Sequence, residues 1–337
     1  MRFGAGGALF KLGLLWFTLI SAVTGCGGVG PGGAGPDGGA RAAAGGAAGL
    51  PAAVAPHVFV VTMENQDADK IYGNTTDAPY INGTLMPRYA RATAFSDVLP
   101  QLPSEPHYIW MEAGTNVFSD HTFTTDDQPS ATNSTNSGEH LVAQIAVANG
   151  LDWRSYQEGI TDATGTCPIA SGGFYRPRHD PFIFFRDVAG SPPAKTDPDC
   201  AAHHRDLAAL AGDLARGDVA GYSFITPNLC HDMHGASGCP RSNRTRGGDD
   251  WLAANLPALI DFVQAHGGVV FVTWEEGNAS ATLPFFAVGP NVKPGYAGGV
   301  PYTHSSLLKT VEEILGLPLL PAVAGKDVND LADLFAR

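Results

Sequence analysis

The sequence predicts an α/β fold with a mostly parallel central sheet and helices on both faces. Short apolar runs of strand length alternate with longer segments of helical periodicity, the pattern of successive β-α-β units. Several apolar runs also stop abruptly at carboxylates, amides or imidazoles, as strands do when a parallel sheet ends at a ligand crevice. Strands are expected over 58–63, 152–156, 222–225, 269–274 and 284–288. Helices are expected over 104–112, 139–148, 202–214, 250–265 and 305–315.

Ahead of the first strand, Arg2 and Lys11 flank an apolar stretch at 12–23 that leads into Thr24-Gly25-Cys26. A basic start, a short apolar core and small residues before a cysteine read as a lipoprotein signal peptide over 1–25, with lipid attached to Cys26. The run is short for a permanent span, and an uncleaved anchor is the alternative. Residues 26–55 are dominated by Gly, Ala and Pro, a composition that buries too little surface to order itself and serves as a tether. A folded domain over 56–337 is long enough for one substantial core.

The first strand, rich in Val, ends at Glu64-Asn65. The strand over 222–225 leads into Thr226-Pro227-Asn228, with Asp232 and His234 just beyond. The run Phe271-Val272-Thr273-Trp274 stops at Glu275-Glu276, and His304 opens the last helix after Pro301-Tyr302-Thr303. Carboxylates and imidazoles together suit a divalent cation. Taken singly, each has a plainer role as a turn, a solvated acid or a surface histidine. Their repeated position after strands is what points to one shared site.

Between these clusters lies Leu102-Pro103-Ser104-Glu105-Pro106-His107-Tyr108. The prolines restrict the backbone at a helix start, which leaves Ser104 at the positive end of a helix dipole, a ready anion site. Serine is a weak nucleophile unless a base or a metal activates it, and the carboxylates could supply that metal. A simple helix cap is the other reading of Ser104.

These segments in this order resemble the bacterial phosphoesterase family of acid phosphatases and phospholipases C, a branch of the alkaline-phosphatase-like superfamily. The similarity runs from about His57 to Leu319 and is strongest toward the short secreted acid phosphatases that act on phosphatidylinositol 3-phosphate. It rests on Met63-Glu64-Asn65-Gln66, Pro103-Ser104-Glu105-Pro106-His107-Tyr108, Arg178-His179-Asp180-Pro181-Phe182, and Pro227-Asn228 with Asp232-Met233-His234. Gly248-Asp249-Asp250-Trp251-Leu252, Thr273-Trp274-Glu275-Glu276, and His304 through Gly316-Leu317-Pro318 complete it. The resemblance implies a metal-assisted phosphomonoesterase with Ser104 as nucleophile and a divalent cation of unspecified identity and number. Glu64, Asn65, Asp232, Glu275, Glu276 and His304 would form the metal set, and Asn65 and His179 would contact phosphate. His107, His179 and His234 complete the catalytic group, with His107 or His234 protonating the leaving alcohol. Two residues depart from the family pattern: His107 stands where asparagine is usual, and Glu275 where aspartate is usual.

Five cysteines fit an exported protein. With Cys26 lipidated, Cys167, Cys200, Cys230 and Cys239 can form two bridges, the local pairing 167–200 and 230–239 being the simplest of three connectivities. A Cys/His zinc site is disfavoured because paired C-x-x-C units are missing. The formal net charge of -13 argues against nucleic acid as a partner, which demands a basic surface. It leaves room for a phosphorylated small molecule or a phosphoinositide, met by a local positive focus of metal, Arg176, Arg178 and His179. The expected location is the outer face of a bacterial membrane, held by lipid at Cys26, or the secreted medium. A phospholipase C acting on diesters and a lipid-tethered binding protein without chemistry are the competing functions.

Overall fold

The computed structural model describes residues 57–160, 165–280 and 282–336. The expected signal peptide, Cys26 and the tether over 26–55 lie outside the described residues. Eight strands form one sheet: β1 (His57–Met63), β2 (Ala90–Ser96), β3 (Trp153–Gln157), β4 (His204–Asp206), β5 (Tyr222–Thr226), β6 (Gly268–Trp274), β7 (Thr282–Val288) and β8 (Ala297–Gly298). Their spatial order is β4-β3-β5-β1-β6-β7-β2-β8. The pairs from β4 across to β6 are all parallel. β7 pairs antiparallel with both β6 and β2, so it alone of these strands runs against the rest.

The central strands are Val- and Phe-rich because helices and loops cover both of their faces. In β1 every residue from Val58 to Met63 is buried, and β6 is buried from Val269 to Trp274. Pro284 interrupts β7 without breaking it. It falls where the β2–β7 register shifts between Ala92 and Phe95, a bulge that needs no ladder donor at that position. Gly268, at φ +137, starts β6 directly against β1, where a Cβ would overlap the His57 carbonyl oxygen.

The main helices are Ser104–Ala113, Leu141–Val147, Leu210–Arg216, Arg244–His266 and His304–Leu315. Two differ from the sequence pattern. The segment expected as one helix over 202–214 is instead a helix ending at His203, the edge strand β4, a 3-10 turn and a helix from Leu210. Asp206 causes the break, since its side chain accepts the Ala208 N–H and so starts a new turn, while residues 204–206 pair with β3. The helix expected over 250–265 begins earlier, at Arg244, because the Asn243 side chain caps it through the Arg246 N–H.

Behind the Ser104 helix lies a buried polar brace. His140 places Nδ1 2.9 Å from Glu112 and Nε2 2.9 Å from Asp187, and its ring stacks on Phe185. The Val142 N–H also donates to Glu112. Two disulfides close the outer loops, Cys167–Cys200 and Cys230–Cys239, which is the local pairing.

Candidate active site

The site sits at the carboxyl ends of β1, β5 and β6, the edge where parallel strands deliver ligands. Met63 and Trp274 are register partners, so the residues that follow them, Glu64 and Glu275, leave the sheet side by side. Backbone bonds fix this edge further: the Glu275 N–H donates to the Met63 carbonyl at 3.0 Å, and the Glu64 N–H to the Asp232 carbonyl at 2.7 Å. Three distant parts of the chain are therefore laced together before any side chain is considered.

Among the described residues, two groups of acids and imidazoles are spaced for a metal ion: Glu64, His179 and Asp232, and His107, Glu275 and Glu276. In the first, His179 Nε2 lies 3.2 Å from Glu64 and Nδ1 3.8 Å from Asp232. The Tyr108 hydroxyl donates to Glu64 at 2.8 Å, and its ring stacks on His179 with centroids 5.1 Å apart. In the second, Asn65 Nδ2 donates to Glu276 at 2.5 Å and to Glu275 at 3.3 Å. Ser104 Oγ lies 3.4 Å from the same Glu276 oxygen.

Ser104 is the first residue of its helix and follows Pro103 in extended conformation. The i, i+3 and i+4 spacing then puts His107 and Tyr108 on the same helical face as Ser104. His107 is fully buried, with Nδ1 2.8 Å from the Pro103 carbonyl and Nε2 3.0 Å from Asp97. Both nitrogens thus serve as donors. Burial would lower its pKa, yet the Asp97 carboxylate outweighs that and raises it, and its Nδ1 lies 3.9 Å from Glu275. His304 begins the last helix behind a Thr303–Ser306 capping box. Its Nε2 donates to the Trp274 carbonyl at 2.9 Å, which leaves Nδ1 as the lone-pair nitrogen.

His234 is half-buried, its Nδ1 donates to the Gly235 carbonyl, and its ring lies 6.3 Å from that of His179. Arg178 reaches Asp126 at 3.3 Å, whereas Arg176 turns back onto the carbonyls of Gly173 and Tyr175. Asp126 also accepts the Glu105 N–H, and Asn133 donates to the Glu105 carboxyl. The long polar stretch over 115–138 is thereby fastened to the start of the Ser104 helix.

The electrostatics are those of a place short of positive charge. Burial drives Asp232 and Glu275 well above the usual carboxylate range, and the Glu64 charge adds to both. Burial likewise lifts Glu276 to about 7. Glu64 goes the other way, because His179, Glu275, His234 and Tyr108 together outweigh its burial. Burial holds His179 down at about 3 and His304 at about 4, so both stay neutral and able to ligate. Glu64 Oε2, Asp232 Oδ2, Glu275 Oε2 and His304 Nδ1 are all buried without a hydrogen-bond partner. Such groups are costly unless something compensates them, and a divalent cation fits this donor set.

Two participants escaped the sequence reading. Tyr108 lies within a quoted motif, and its i+4 relation to Ser104 was the available signal. Asp97, which holds His107 Nε2 at 3.0 Å, follows β2 in a stretch without any apolar run to mark it.

The phosphoesterase family model matches residues 84–318. The chain belongs to the phosphoesterase family. The phosphatidylinositol-3-phosphatase of Mycobacterium tuberculosis is 28% identical over 277 residues, covering 80% of this chain and 81% of that protein. A probable acid phosphatase of Kluyveromyces lactis is 23% identical over 274 residues, 78% of this chain and 58% of its own length. In fold, a phosphonate monoester hydrolase from Silicibacter pomeroyi superposes with a TM-score of 0.50 at 14% identity, covering 83% of this chain and 76% of that one. This phosphoesterase is accordingly a phosphoric ester hydrolase of the phosphatase type with a phosphorylated substrate. Its disulfides mark export to an oxidising compartment. Among the described residues no helix is long and apolar enough to cross a membrane.

Proposed function

We propose that this phosphoesterase is a metal-assisted acid phosphatase in which Ser104 attacks phosphorus. The observation that carries the reading is the pair of ligand-spaced groups at this edge, Glu64 with His179 and Asp232, and His107 with Glu275 and Glu276, with Ser104 Oγ 3.4 Å from Glu276; buried Glu64, Asp232 and Glu275 each keep an unpartnered carboxylate oxygen, whereas His304 falls in neither group. Glu64, Asn65, Asp232, Glu275, Glu276 and His304 would hold the divalent cation, which when bound supplies Lewis-acid charge to phosphate oxygens.

The chain's own groups do the rest. Glu276, 3.4 Å from Ser104 Oγ, accepts the hydroxyl proton as the oxygen bonds to phosphorus. Asn65 and His179 steady the phosphoryl oxygens, helped by the positive end of the Ser104 helix. The bond to the leaving oxygen breaks, and His234 hands that oxygen a proton. Of the two candidate acids it is the one not committed at both nitrogens, as His107 is to Asp97 and Pro103. Water then gives a proton to His234 as it attacks the phosphoserine; the bond from phosphorus to Ser104 Oγ breaks, Glu276 returns its proton to Oγ, and inorganic phosphate leaves.

The similarity to a phosphatidylinositol-3-phosphatase makes phosphatidylinositol 3-phosphate the first physiological candidate. Lipid attachment at Cys26 would hold the enzyme at the membrane that presents it. The test is a panel of para-nitrophenyl phosphate, bis-para-nitrophenyl phosphate and phosphatidylinositol 3-phosphate, run with and without chelator. Monoester turnover that the chelator abolishes, and that Ser104→Ala lowers by about a thousandfold or more with an unchanged melting temperature, is expected. Near-normal turnover in that variant rejects the mechanism, and preference for the diester assigns a phospholipase C.

A further inference from the structure

The motif Gly248-Asp249-Asp250-Trp251-Leu252 contributes no group to the chemistry above. Asp249 has a local task, since it accepts the Tyr80 and Ile81 N–H groups at 2.9 Å each. The glycines before it have none of that kind. Gly247 and Gly248 sit in succession inside the Arg244–His266 helix, where glycine lowers helix stability relative to alanine. A close approach explains them. A Cβ on Gly247 would lie 2.9 Å from the Cys230 carbonyl. One on Gly248 would overlap Met233 Cγ and come within 2.9 Å of both Met233 Cε and Met63 Cε.

Met233 is itself unusual. It is the one non-glycine residue at positive φ among the described residues, at 81°, and it is fully buried. Its neighbours in sequence are Asp232 and His234. That peptide segment is gripped from several sides. Gln66, next to Asn65, donates to the Met233 carbonyl at 3.3 Å, and Arg244 donates to the His234 carbonyl at 3.2 Å. The Asp232 carbonyl accepts the Glu64 N–H, and the His234 N–H returns to the Asp232 carboxylate at 2.7 Å. The Cys230–Cys239 bridge closes the loop covalently, so a push on Met233 cannot be relieved by letting the loop ends drift apart.

We infer that Met233 and Gly248 form a matched knob and notch that positions Asp232 and His234 in the catalytic edge. The methionine side chain, driven into the space that glycine leaves, holds an otherwise strained backbone conformation in place. Filling the notch lifts the knob, and both flanking functional groups move with it. This role rests on the phosphatase reading only for its activity readout, because the seating of the loop can be measured by itself.

The test is a double-mutant cycle of Gly248→Ala, Met233→Ala and the combination in the full chain. Para-nitrophenyl phosphate turnover and hydrogen exchange of the Glu64 and His234 amides are both followed. In Gly248→Ala, kcat/KM falls by about a hundredfold, as a misplacement of catalytic groups near 1 Å does, and the two amides lose protection. Met233→Ala alone empties the notch and also lowers both measures; in the double variant the new methyl group partly refills the notch and the collision is gone, so turnover and amide protection recover at least tenfold above Gly248→Ala. A merely structural glycine shows instead as a lower melting temperature, with the remaining folded Gly248→Ala protein keeping a wild-type kcat/KM and amide protection. The idea is overturned if Gly248→Ala behaves as wild type, or if the double variant is no better than Gly248→Ala in either measurement. A wild-type protein without turnover refutes the phosphatase reading instead, and the amides still decide the knob and notch.

Discussion

Raising the pH should loosen the fold through His140 well before any surface group matters. The imidazole is fully buried between Glu112, near the end of the Ser104 helix, and Asp187. Burial alone would lower its pKa, but the hydrogen bonds to Asp187 and Glu112 outweigh it and lift the group to about 9. In the unfolded chain it returns to the ordinary histidine value of 6.5. A histidine whose folded pKa is raised contributes stability that is complete below the unfolded value and is lost as the pH climbs through the folded one. The window therefore runs from 6.5 to about 9. At about 1.4 kcal/mol for each pH unit, the loss amounts to roughly 3 kcal/mol. Urea unfolding at pH 6 and at pH 9.5, on wild type and His140→Ala, reads it directly. Wild type should lose that stability between the two conditions. The variant starts lower, its buried Glu112 left with only the Val142 N–H, and its dependence is smaller by that amount, the remainder coming from buried Glu105 and Glu312, which burial lifts to about 8. A flat wild-type profile, or an equal slope in His140→Ala, would refute the assignment.

Two further outcomes concern the sheet and its edge. Gly268→Ala, which forces a side chain onto the His57 carbonyl at a positive φ, should lower unfolding free energy by about 3 kcal/mol or more, read as a shift in urea midpoint. Chelation should lower the melting temperature, because buried carboxylates are left uncompensated. Adding back a cation at about a hundred times its dissociation constant should return about 2.7 kcal/mol, and a melting temperature indifferent to both treatments would count against a cation at this edge.

The strands that carry the site were legible because burial on both faces leaves a plain signature. His57–Met63 and Gly268–Trp274 are apolar until the residue where the chain leaves the sheet, so their acids stood out. β4 and β8, of three and two residues, are too short to show a period, and β2 mixes buried with open positions. Strand order was not readable either. Nothing in the composition of β7 announces that it runs against its neighbours, because direction depends on how loops return. The need for glycine at 247 and 248 has no local sign, since the groups that require it, the Cys230 carbonyl and the Met233 side chain, lie seventeen and fifteen residues earlier. Likewise the upward push on the His107 pKa comes from Asp97, a partner that only the fold brings near.

The neighbouring origin of Glu64 and Glu275 on two central strands has a consequence for ion choice. Strands joined in register at the middle of a sheet cannot spread to suit a larger sphere, so the anchoring backbone offers no adjustment in radius. What flexibility exists lies in the glutamate arms, which are longer by a methylene than aspartate and can swing without moving their roots. With the proposed cation bound here, discrimination between a small, strictly octahedral ion and a larger, more permissive one would fall to those arms. Shortening Glu275 to aspartate is the change that would shift it.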